Sequence, residues 1–252
     1  MLALTREVSA AIARCELTHA AREPIDLRRA RHQHAEYERA LETLGCTVRR
    51  LPAGDDLPDS VFIEDTAVVL PEVAILARPG APSRRGEVDA VAAALEPLRP
   101  ITRLVAPATL DGGDVIVIDR AIYVGLSSRT NREGIDQLRA IAAPHGYSVL
   151  PVVTSGCLHL KSAATALDGR TLLLNPQWVS KEAFAAHDHL CIDPSEPGAA
   201  NTVGIDGQLI VSAGFPRTCA RLEGAGFRTI RVDASELAKA EGALTCCSLL
   251  VS

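Results

Sequence analysis

Aromatic residues are scarce in this sequence, which contains four Phe, three Tyr and one Trp among 252 residues. Basic residues form no cluster interleaved with these aromatics, and the formal net charge is −5. Nucleic-acid binding therefore has no support, because such surfaces combine basic patches with stacking side chains. A small cation is compatible with the negative charge, so we expect a small-molecule partner.

Long apolar runs are also absent. Arg6 and Glu7 interrupt the segment where a secretory peptide would need continuous apolar residues, and no later run approaches the length of a bilayer span. We therefore expect a soluble, cytoplasmic protein without a membrane partner. Hydrophobic residues make up 47% of the chain, which is enough for one large core, so residues 1–252 are expected to form one domain.

The cysteines show no C-x-x-C spacing of the kind that binds metal. They are seven in number, stand in apolar contexts, and occupy positions 15, 46, 157, 191, 219, 246 and 247. An odd, scattered set indicates a reduced compartment rather than a disulfide framework.

Helix and strand signals alternate along the chain. A first helix is predicted after Asp26, over LRRARHQHAEYERALETLG, with Gly45 as its stop. Further helices are predicted over 84–97, 131–143, 181–188, 216–224 and 234–240. Between them lie paired strand-like runs, namely VFIEDTAVVL with VAILARP, DVIVID with AIYVGL, SAATAL with RTLLLN, and NTVGI with QLIVSA. The pattern indicates an α/β fold in which hairpins alternate with helices.

A polar residue stands just ahead of the first apolar run of each unit: Glu64, Asp111, His159, Asn201 and Cys246. They recur about every 45 residues, a spacing typical of propellers and repeat arrays. The fifth unit stops after SLLVS, and the N-terminal LALTREV would supply its missing partner and close a ring. On five divergent units such a period can arise by chance. If the repeat is real, four of these side chains, Glu64, Asp111, His159 and Cys246, meet at a common centre.

The residue types at that centre are those of nucleophilic catalysis: a thiol, an imidazole and a carboxylate. His159 and Cys246 stand out because they occupy equivalent places in the repeat, whereas the other cysteines read as small buried hydrophobes. Cys246 and Cys247, as adjacent residues of a strand, are expected to point to opposite faces, so at most one of them can face the centre. Alternation alone does not say which.

Acidic residues are concentrated near the same centre. Asp59, Glu64, Asp65 and Asp111 supply carboxylates, which match the paired N–H donors of a guanidinium group. The string FIEDTAVVL places Glu64 and Asp65 at the start of a strand rather than in a solvated loop. The sequence therefore favours a guanidinium substrate.

Six strings, in this order along the chain, resemble the dimethylarginine dimethylaminohydrolase family of the guanidine-modifying superfamily: LPDSVFIEDTAVV, RPGAPSRRGEV, ATLDGGDV, VGLSSRTNREG, LHLKS and EGALTCCS. The resemblance runs from about residue 17 to the end of the sequence. It implies a five-bladed α/β propeller of pseudo-fivefold ββαβ-type repeats. It also implies a hydrolase that converts Nω-methylated arginine to citrulline, releasing methylamine or dimethylamine, as a monomer or homodimer and without a metal or organic cofactor.

The resemblance also implies the catalytic roles. Cys246 is the implied nucleophile, His159 the general acid and base, and Asp111 the carboxylate that orients His159, which settles the choice between the two adjacent cysteines. Some relatives carry Glu at the position of Asp111, so the reach to the imidazole is shorter here.

Further positions match the family's substrate-binding pattern. Glu64 and Asp65 are implied to flank the guanidinium, and Arg84 and Arg129 to bind the α-carboxylate. The α-ammonium is assigned to Asp59 with the backbone carbonyls of Leu17 and Ala240. Some relatives carry a β-branched residue at the position of Ala240, which matters little because only the carbonyl is used.

Other functions remain in competition. Arginine deiminase, agmatine deiminase and amidinotransferase share the fold, and Arg84 and Arg129 disfavour agmatine, which lacks a carboxylate. The choice between free arginine and methylarginine as the substrate stays open. A catalytically silent binder of arginine-like ligands would lack a catalytic residue, and none is missing. Zinc capture by Cys246, Cys247 and His159 is disfavoured because an evolved site brings three or four well-spaced ligands.

Overall fold

Fifteen short β-strands dominate the chain, and the computed structural model describes all 252 residues. The strands, β1 to β15 in chain order, span Leu2–Arg6, Thr47–Leu51, Ala67–Val69, Ala74–Leu76, Ile101–Arg103, Val115–Ile118, Ala121–Leu126, Ser148–Val153, Ala164–Ala166, Thr171–Leu174, Asp188–Cys191, Val203–Ile205, Gln208–Ser212, Arg228–Val232 and Leu249–Val251. The α-helices, α1 to α6, span Leu27–Thr43, Val88–Leu95, Arg132–Ala142, Leu160–Ala163, Pro216–Gly224 and Ser235–Ala238. No helix combines the length and the apolar character that crossing a membrane would require.

The strands form five three-stranded sheets, ordered β3-β4-β5, β6-β7-β8, β9-β10-β11, β12-β13-β14 and β15-β1-β2. In each sheet the central strand pairs antiparallel with the first strand and parallel with the third. A helix or helical turn connects the central strand to the third strand. These are the predicted ββαβ-type repeats of an α/β propeller.

The fifth sheet combines the two ends of the sequence. β1 pairs antiparallel with β15, so that Leu2 lies opposite Val251 and Leu4 opposite Leu249. On its other side β1 runs parallel to β2. The predicted pairing of SLLVS with the N-terminal LALT segment is therefore confirmed.

Helix ends follow the sequence signals. The side chain of Asp26 accepts a hydrogen bond from the Arg29 N–H at the start of α1, and Asn131 does the same for the Gly134 N–H at the start of α3. Gly45, with φ of 84°, follows α1 in the left-handed region that favours glycine. On the inner face of α1, Ala30, Tyr37 and Leu41 are buried in the largest apolar cluster, which also contains Cys246 and Cys247. The apolar stripe of α1 thus supports the segment that carries both cysteines.

Two predicted helices were wrong in extent and a third in type. Residues 84–97 begin instead as a 3-10 segment, Pro82–Glu87, and α2 follows it. Residues 234–240 contain only the single turn α6. Residues 181–188 form a 3-10 turn, Lys181–Phe184, because the chain must extend again at Asp188 to pair β11 with β10.

Candidate active site

One-turn segments carry the polar residues that precede the first strands. Asp111 immediately precedes the 3-10 turn Gly112–Asp114, and His159 immediately precedes α4. Cys246 lies within the 3-10 turn Thr245–Cys247, just before β15. The exposed fractions are 0% for Asp111, 4% for His159 and 8% for Cys246, so all three predicted catalytic side chains are buried.

His159 lies between two carboxylates. Its Nε2 is 3.1 Å from Oδ2 of Asp111, and its Nδ1 is 3.8 Å from Oδ1 of Asp65. The same Asp65 oxygen accepts a hydrogen bond of 2.9 Å from the Gly113 N–H. A Cβ at Gly113 would lie 2.7 Å from both Asp65 Oδ1 and His159 Nδ1, so glycine is required for this close approach. The string LDGGD therefore supplies both a carboxylate and the space for the imidazole.

The surroundings favour the protonated form of both the imidazole and the thiol. Burial lowers the pKa of His159, but the carboxylates of Asp65, Asp111 and Asp114 outweigh it and raise that pKa to about 9. Burial, reinforced by Glu64 and Asp65, raises the pKa of Cys246 to about 12. Without a bound cation, the site at neutral pH holds an imidazolium and a neutral thiol.

A small cleft collects most of the predicted site residues. Its lining consists of Glu16, Asp59, Phe62, Asp65, Arg84, Arg129, Leu158, His159, Ala240, Glu241, Gly242 and Cys246. Asp111 contacts His159 but is not part of this lining. Leu17 is half-buried and is not part of it either. The structure thus brings together the implied nucleophile, the imidazole and residues implied to bind both ends of an amino acid.

Glu64 is the exception among the predicted acids. Its Oε1 accepts a hydrogen bond of 2.6 Å from Lys161 Nζ, and its Oε2 accepts one of 2.7 Å from Thr245 Oγ1. It lines a separate cavity of about 320 Å³ among the first strands of the sheets. Glu64 and Asp65 lie in the 3-10 turn Ile63–Thr66, not at the start of β3 as predicted, and their side chains diverge to different cavities.

The two arginines differ in their free hydrogen-bonding capacity. Arg84 donates to Asp65, to both carboxylate oxygens of Glu87, and to the carbonyls of Asp59 and Phe62. Arg129 donates through Nη2 to Thr18 Oγ1, while its buried Nη1 has no partner. Arg129 therefore presents a buried cationic donor to the cleft, whereas Arg84 is largely committed to neighbouring groups.

The adjacent cysteines are separated by a turn rather than by strand alternation. Both lie in Thr245–Cys247, so the expectation of a strand at this point was wrong. Cys247 is fully buried, and its thiol donates to the Ala243 carbonyl, whereas Cys246 lines the cleft. Only Cys246 is placed to meet a ligand there.

Two acids that sequence reasoning missed shape the site. Glu241, in the left-handed region with φ of 56°, accepts hydrogen bonds from the backbone N–H groups of Thr18, His19 and Ala20. This contact holds residues 18–20 at the cleft edge, and its signal was the first residue of the string EGALTCCS. The other acid, Asp114, is fully buried beside the turn of His159, and its signal was the second acid of LDGGD.

A metal ion could in principle contact Asp65, Asp111 and His159, whose ligand atoms all lie within 4.8 Å of one another. A protonated imidazole cannot ligate a metal, and the pKa of His159 is raised to about 9. Metal binding at this cluster would have to displace a proton from His159, which is hydrogen-bonded to Asp111.

Known proteins are similar to this chain in sequence and in structure. The profile of the family described as N,N dimethylarginine dimethylhydrolase, eukaryotic, matches residues 5–161. An N(G),N(G)-dimethylarginine dimethylaminohydrolase from Pseudomonas aeruginosa is 38% identical over 226 residues, covering 89% of each chain. One of the same name from Streptomyces coelicolor is 40% identical over 249 residues, covering 98% of this chain and 95% of that protein.

Solved structures are also similar to this chain. A mutant of the Pseudomonas aeruginosa enzyme complexed with citrulline superposes with a TM-score of 0.94 at 35% identity, covering 98% of this chain and 97% of that one. The N-terminal domain of a cyanobacterial arginine dihydrolase shares the fold, with a TM-score of 0.89 at 20% identity. On the family match and the identity to these enzymes, the chain belongs to the dimethylarginine dimethylaminohydrolase family.

Proposed function

We propose that this protein hydrolyses Nω-methylated arginine to L-citrulline, releasing methylamine from monomethylarginine and dimethylamine from asymmetric dimethylarginine. The observation that carries the proposal is a thiol, Cys246, in a cleft with a buried His159–Asp111 pair and the further carboxylate Asp65. Carboxylates bind the guanidinium group, and the thiol attacks it. The family's enzymes carry names that state this activity.

The substrate's two ends meet different groups. Asp65 accepts hydrogen bonds from the guanidinium, and the unpartnered Nη1 of Arg129 binds the α-carboxylate. Asp59, which already accepts the Glu16 N–H, receives the α-ammonium together with the carbonyls of Leu17 and Ala240. In this arrangement the reactive carbon lies beside Cys246, which lines the same cleft.

Arg84 and Glu64 act indirectly in this proposal. Arg84 holds Asp65 through a hydrogen bond of 2.5 Å, and its other donors are taken by Glu87 and two carbonyls. We infer that it fixes the guanidinium's carboxylate partner more than it binds the α-carboxylate. Glu64, tied to Lys161 and Thr245, supports the turn of Cys246 from the other cavity.

Substrate binding starts the chemistry. The guanidinium cation stabilises the Cys246 thiolate, whose proton passes to solvent as the substrate enters. The thiolate attacks the guanidinium carbon and gives a tetrahedral adduct. Imidazolium His159 then donates its proton to the departing amine, the carbon–nitrogen bond breaks, and a covalent S-alkylthiouronium remains on Cys246.

Hydrolysis completes the cycle. The now neutral His159 takes a proton from water, and the water oxygen bonds to the thiouronium carbon. Collapse of that adduct breaks the carbon–sulfur bond, the hydroxyl proton of the adduct passes to the Cys246 sulfur, and citrulline leaves while His159 stays protonated. Asp111 holds the imidazole in place throughout, through its contact with Nε2.

Citrulline release from four compounds tests the substrate class. We expect turnover of monomethylarginine and asymmetric dimethylarginine, slower turnover of arginine, and none of agmatine, which cannot engage Arg129. Arginine as the best substrate would assign deiminase activity instead, and equal turnover of agmatine would refute carboxylate recognition.

A matched cysteine pair tests the nucleophile. Cys246→Ser should abolish turnover, whereas Cys247→Ser should retain most of it because Cys247 does not line the cleft. Mass spectrometry of quenched reactions should find the adduct on the peptide that contains Cys246. Full activity in Cys246→Ser would refute the assignment of Cys246 as the nucleophile.

A cytoplasmic location and a monomeric or homodimeric state stay predictions from the sequence.

A further inference from the structure

Asp114 is a fully buried acid with three hydrogen-bond donors converging on it. Its Oδ2 accepts bonds of 2.6 Å from Ser127 Oγ and 2.6 Å from Thr130 Oγ1. Its Oδ1 accepts a bond of 2.9 Å from the Leu160 N–H. A Cβ on Gly125 would come within 2.6 Å of that oxygen, so the neighbouring strand β7 must carry glycine there.

Each of these donors belongs to a segment that carries a site residue. Leu160 follows His159 and begins α4. Ser127 Oγ accepts the N–H groups of Arg129 and Thr130, at 3.0 Å and 3.1 Å. Thr130 Oγ1, in turn, accepts the Asp111 N–H at 3.2 Å. One carboxylate therefore links the backbones of His159, Arg129 and Asp111.

We propose that Asp114 is a positioning residue of this active site, which fixes the imidazole of His159 relative to the carboxylate-binding Arg129 and to Asp111. The proposal rests on the proposed function, because it concerns the geometry in which methylarginine is bound and protonated. Proton transfer and substrate alignment both depend steeply on distance, so a shared anchor affects both.

A carboxylate suits this position better than its amide. The hydroxyl of Ser127 already accepts two N–H groups and that of Thr130 accepts one, so each must donate its own proton to Asp114. The NH₂ group of an asparagine would face these hydroxyls as a third donor, or else turn its oxygen to them and lose the Leu160 N–H. Either arrangement leaves a buried polar group unsatisfied.

The charge of Asp114 also acts on His159, since it is among the carboxylates that raise the pKa of the imidazole. Asp65 and Asp111 lie against the same imidazole, and the cleft that it lines also holds the charged or titratable groups of Glu16, Asp59, Arg84, Arg129, Glu241 and Cys246. With Asp114 neutralised, the pKa of His159 should fall while these groups are unchanged.

The experiment is steady-state kinetics of Asp114→Asn against pH, with Asp119→Asn, an exposed acid in the β6–β7 turn, as the matched control. We expect kcat of Asp114→Asn to fall on the order of 10- to 100-fold, as misplaced catalytic groups do. Its alkaline limb should move to lower pH, and KM for dimethylarginine should rise. The control should match the wild type.

A second variant isolates the hydrogen bonds through Ser127 that connect Asp114 to Arg129. Ser127→Ala removes the hydroxyl that accepts the Arg129 N–H but leaves Asp114 charged, so KM should rise while the pH profile stays in place. If Asp114→Asn does not fold, this variant and Asp114→Glu carry the test, with Asp114→Glu lowering kcat but keeping the alkaline limb.

The proposal is overturned by folded Asp114→Asn enzyme with wild-type kcat, KM and pH profile. It is equally overturned by a lower rate with unchanged KM and pH profile, which would mean only a smaller active fraction. Failure of the proposed function is distinguishable, because then the wild-type enzyme itself would not release citrulline from methylarginine.

Discussion

Leu4 lies in the β1–β15 pair that joins the two ends of the sequence, and its truncation measures how much that pairing stabilises the protein. The side chain is fully buried on β1, the central strand of the fifth sheet, among Leu51, Ile63 and Leu249. Leu4→Ala removes three buried carbon atoms and leaves a cavity, which should cost about 2–5 kcal/mol of unfolding free energy. That is a large share of a typical total of roughly 5–15 kcal/mol.

The same substitution should also change the position of the proposed nucleophile, Cys246. Leu4 lies opposite Leu249, and Leu249 begins β15 directly after the turn that carries Cys246. A loosened β1–β15 pair therefore lets Cys246 shift relative to His159. We expect initial rates of citrulline release to fall even at temperatures where the variant is fully folded.

Thermal melts and initial rates on one set of variants test both effects. Val153→Ala, which trims a residue 78% exposed on β8, is the matched control and should change stability by less than about 0.5 kcal/mol. Deletion of residues 1–5 should be more severe than Leu4→Ala, because β15 and β2 both lose their partner. A truncated protein with wild-type melting temperature and turnover would refute the reasoning.

Four further substitutions separate binding, catalysis and pH effects. Arg129→Ala should raise KM by the loss of a charged hydrogen bond worth about 1.5–3 kcal/mol, whereas Arg84→Ala should mainly lower kcat and melting temperature by releasing Asp65; steady-state kinetics with melts distinguishes the two. The pKa of His159 is raised to about 9, so the stability it contributes is present below about pH 6.5 and lost as pH rises towards 9. Denaturant titrations across that range should therefore show about 3 kcal/mol less pH dependence in His159→Gln. For His34, burial lowers the pKa to about 4, so its contribution is present above about pH 6.5 and lost as pH falls towards 4. Urea titrations should find this acid loss, about 3 kcal/mol, missing in His34→Gln.

That the candidate catalytic residues lie close together could be predicted from the sequence better than the strands could. Asp111, His159 and Cys246 were predictable because each opens a repeat unit and because their chemistry is complementary. The third strand of each sheet was not assigned, since edge strands such as Thr47–Leu51, with the sequence TVRRL, are mostly exposed and show no apolar alternation. Arg228–Val232 was missed for the same reason.

The direction of side chains was the other feature that could not be predicted from the sequence. Successive residues of a 3-10 turn point about 120° apart. This geometry separates Glu64 from Asp65, and Cys246 from Cys247, whereas the sequence pattern treated both pairs as strand residues. The pairing of Arg84 with Glu87 was accessible in principle, because residues three apart in a 3-10 segment lie on the same side. It required knowing that the segment was 3-10 rather than α-helical.

The pairing of β1 with β15 also has a kinetic consequence. Four of the sheets form from strands close together in sequence, whereas the fifth joins Leu2 to Val251 across nearly the whole chain. Contacts between distant segments form slowly, because closing a long loop costs chain entropy before any contact compensates for it. We therefore expect the other four units to acquire structure first during refolding. Enzymatic activity should return last, at the rate of the step that brings Cys246 to His159.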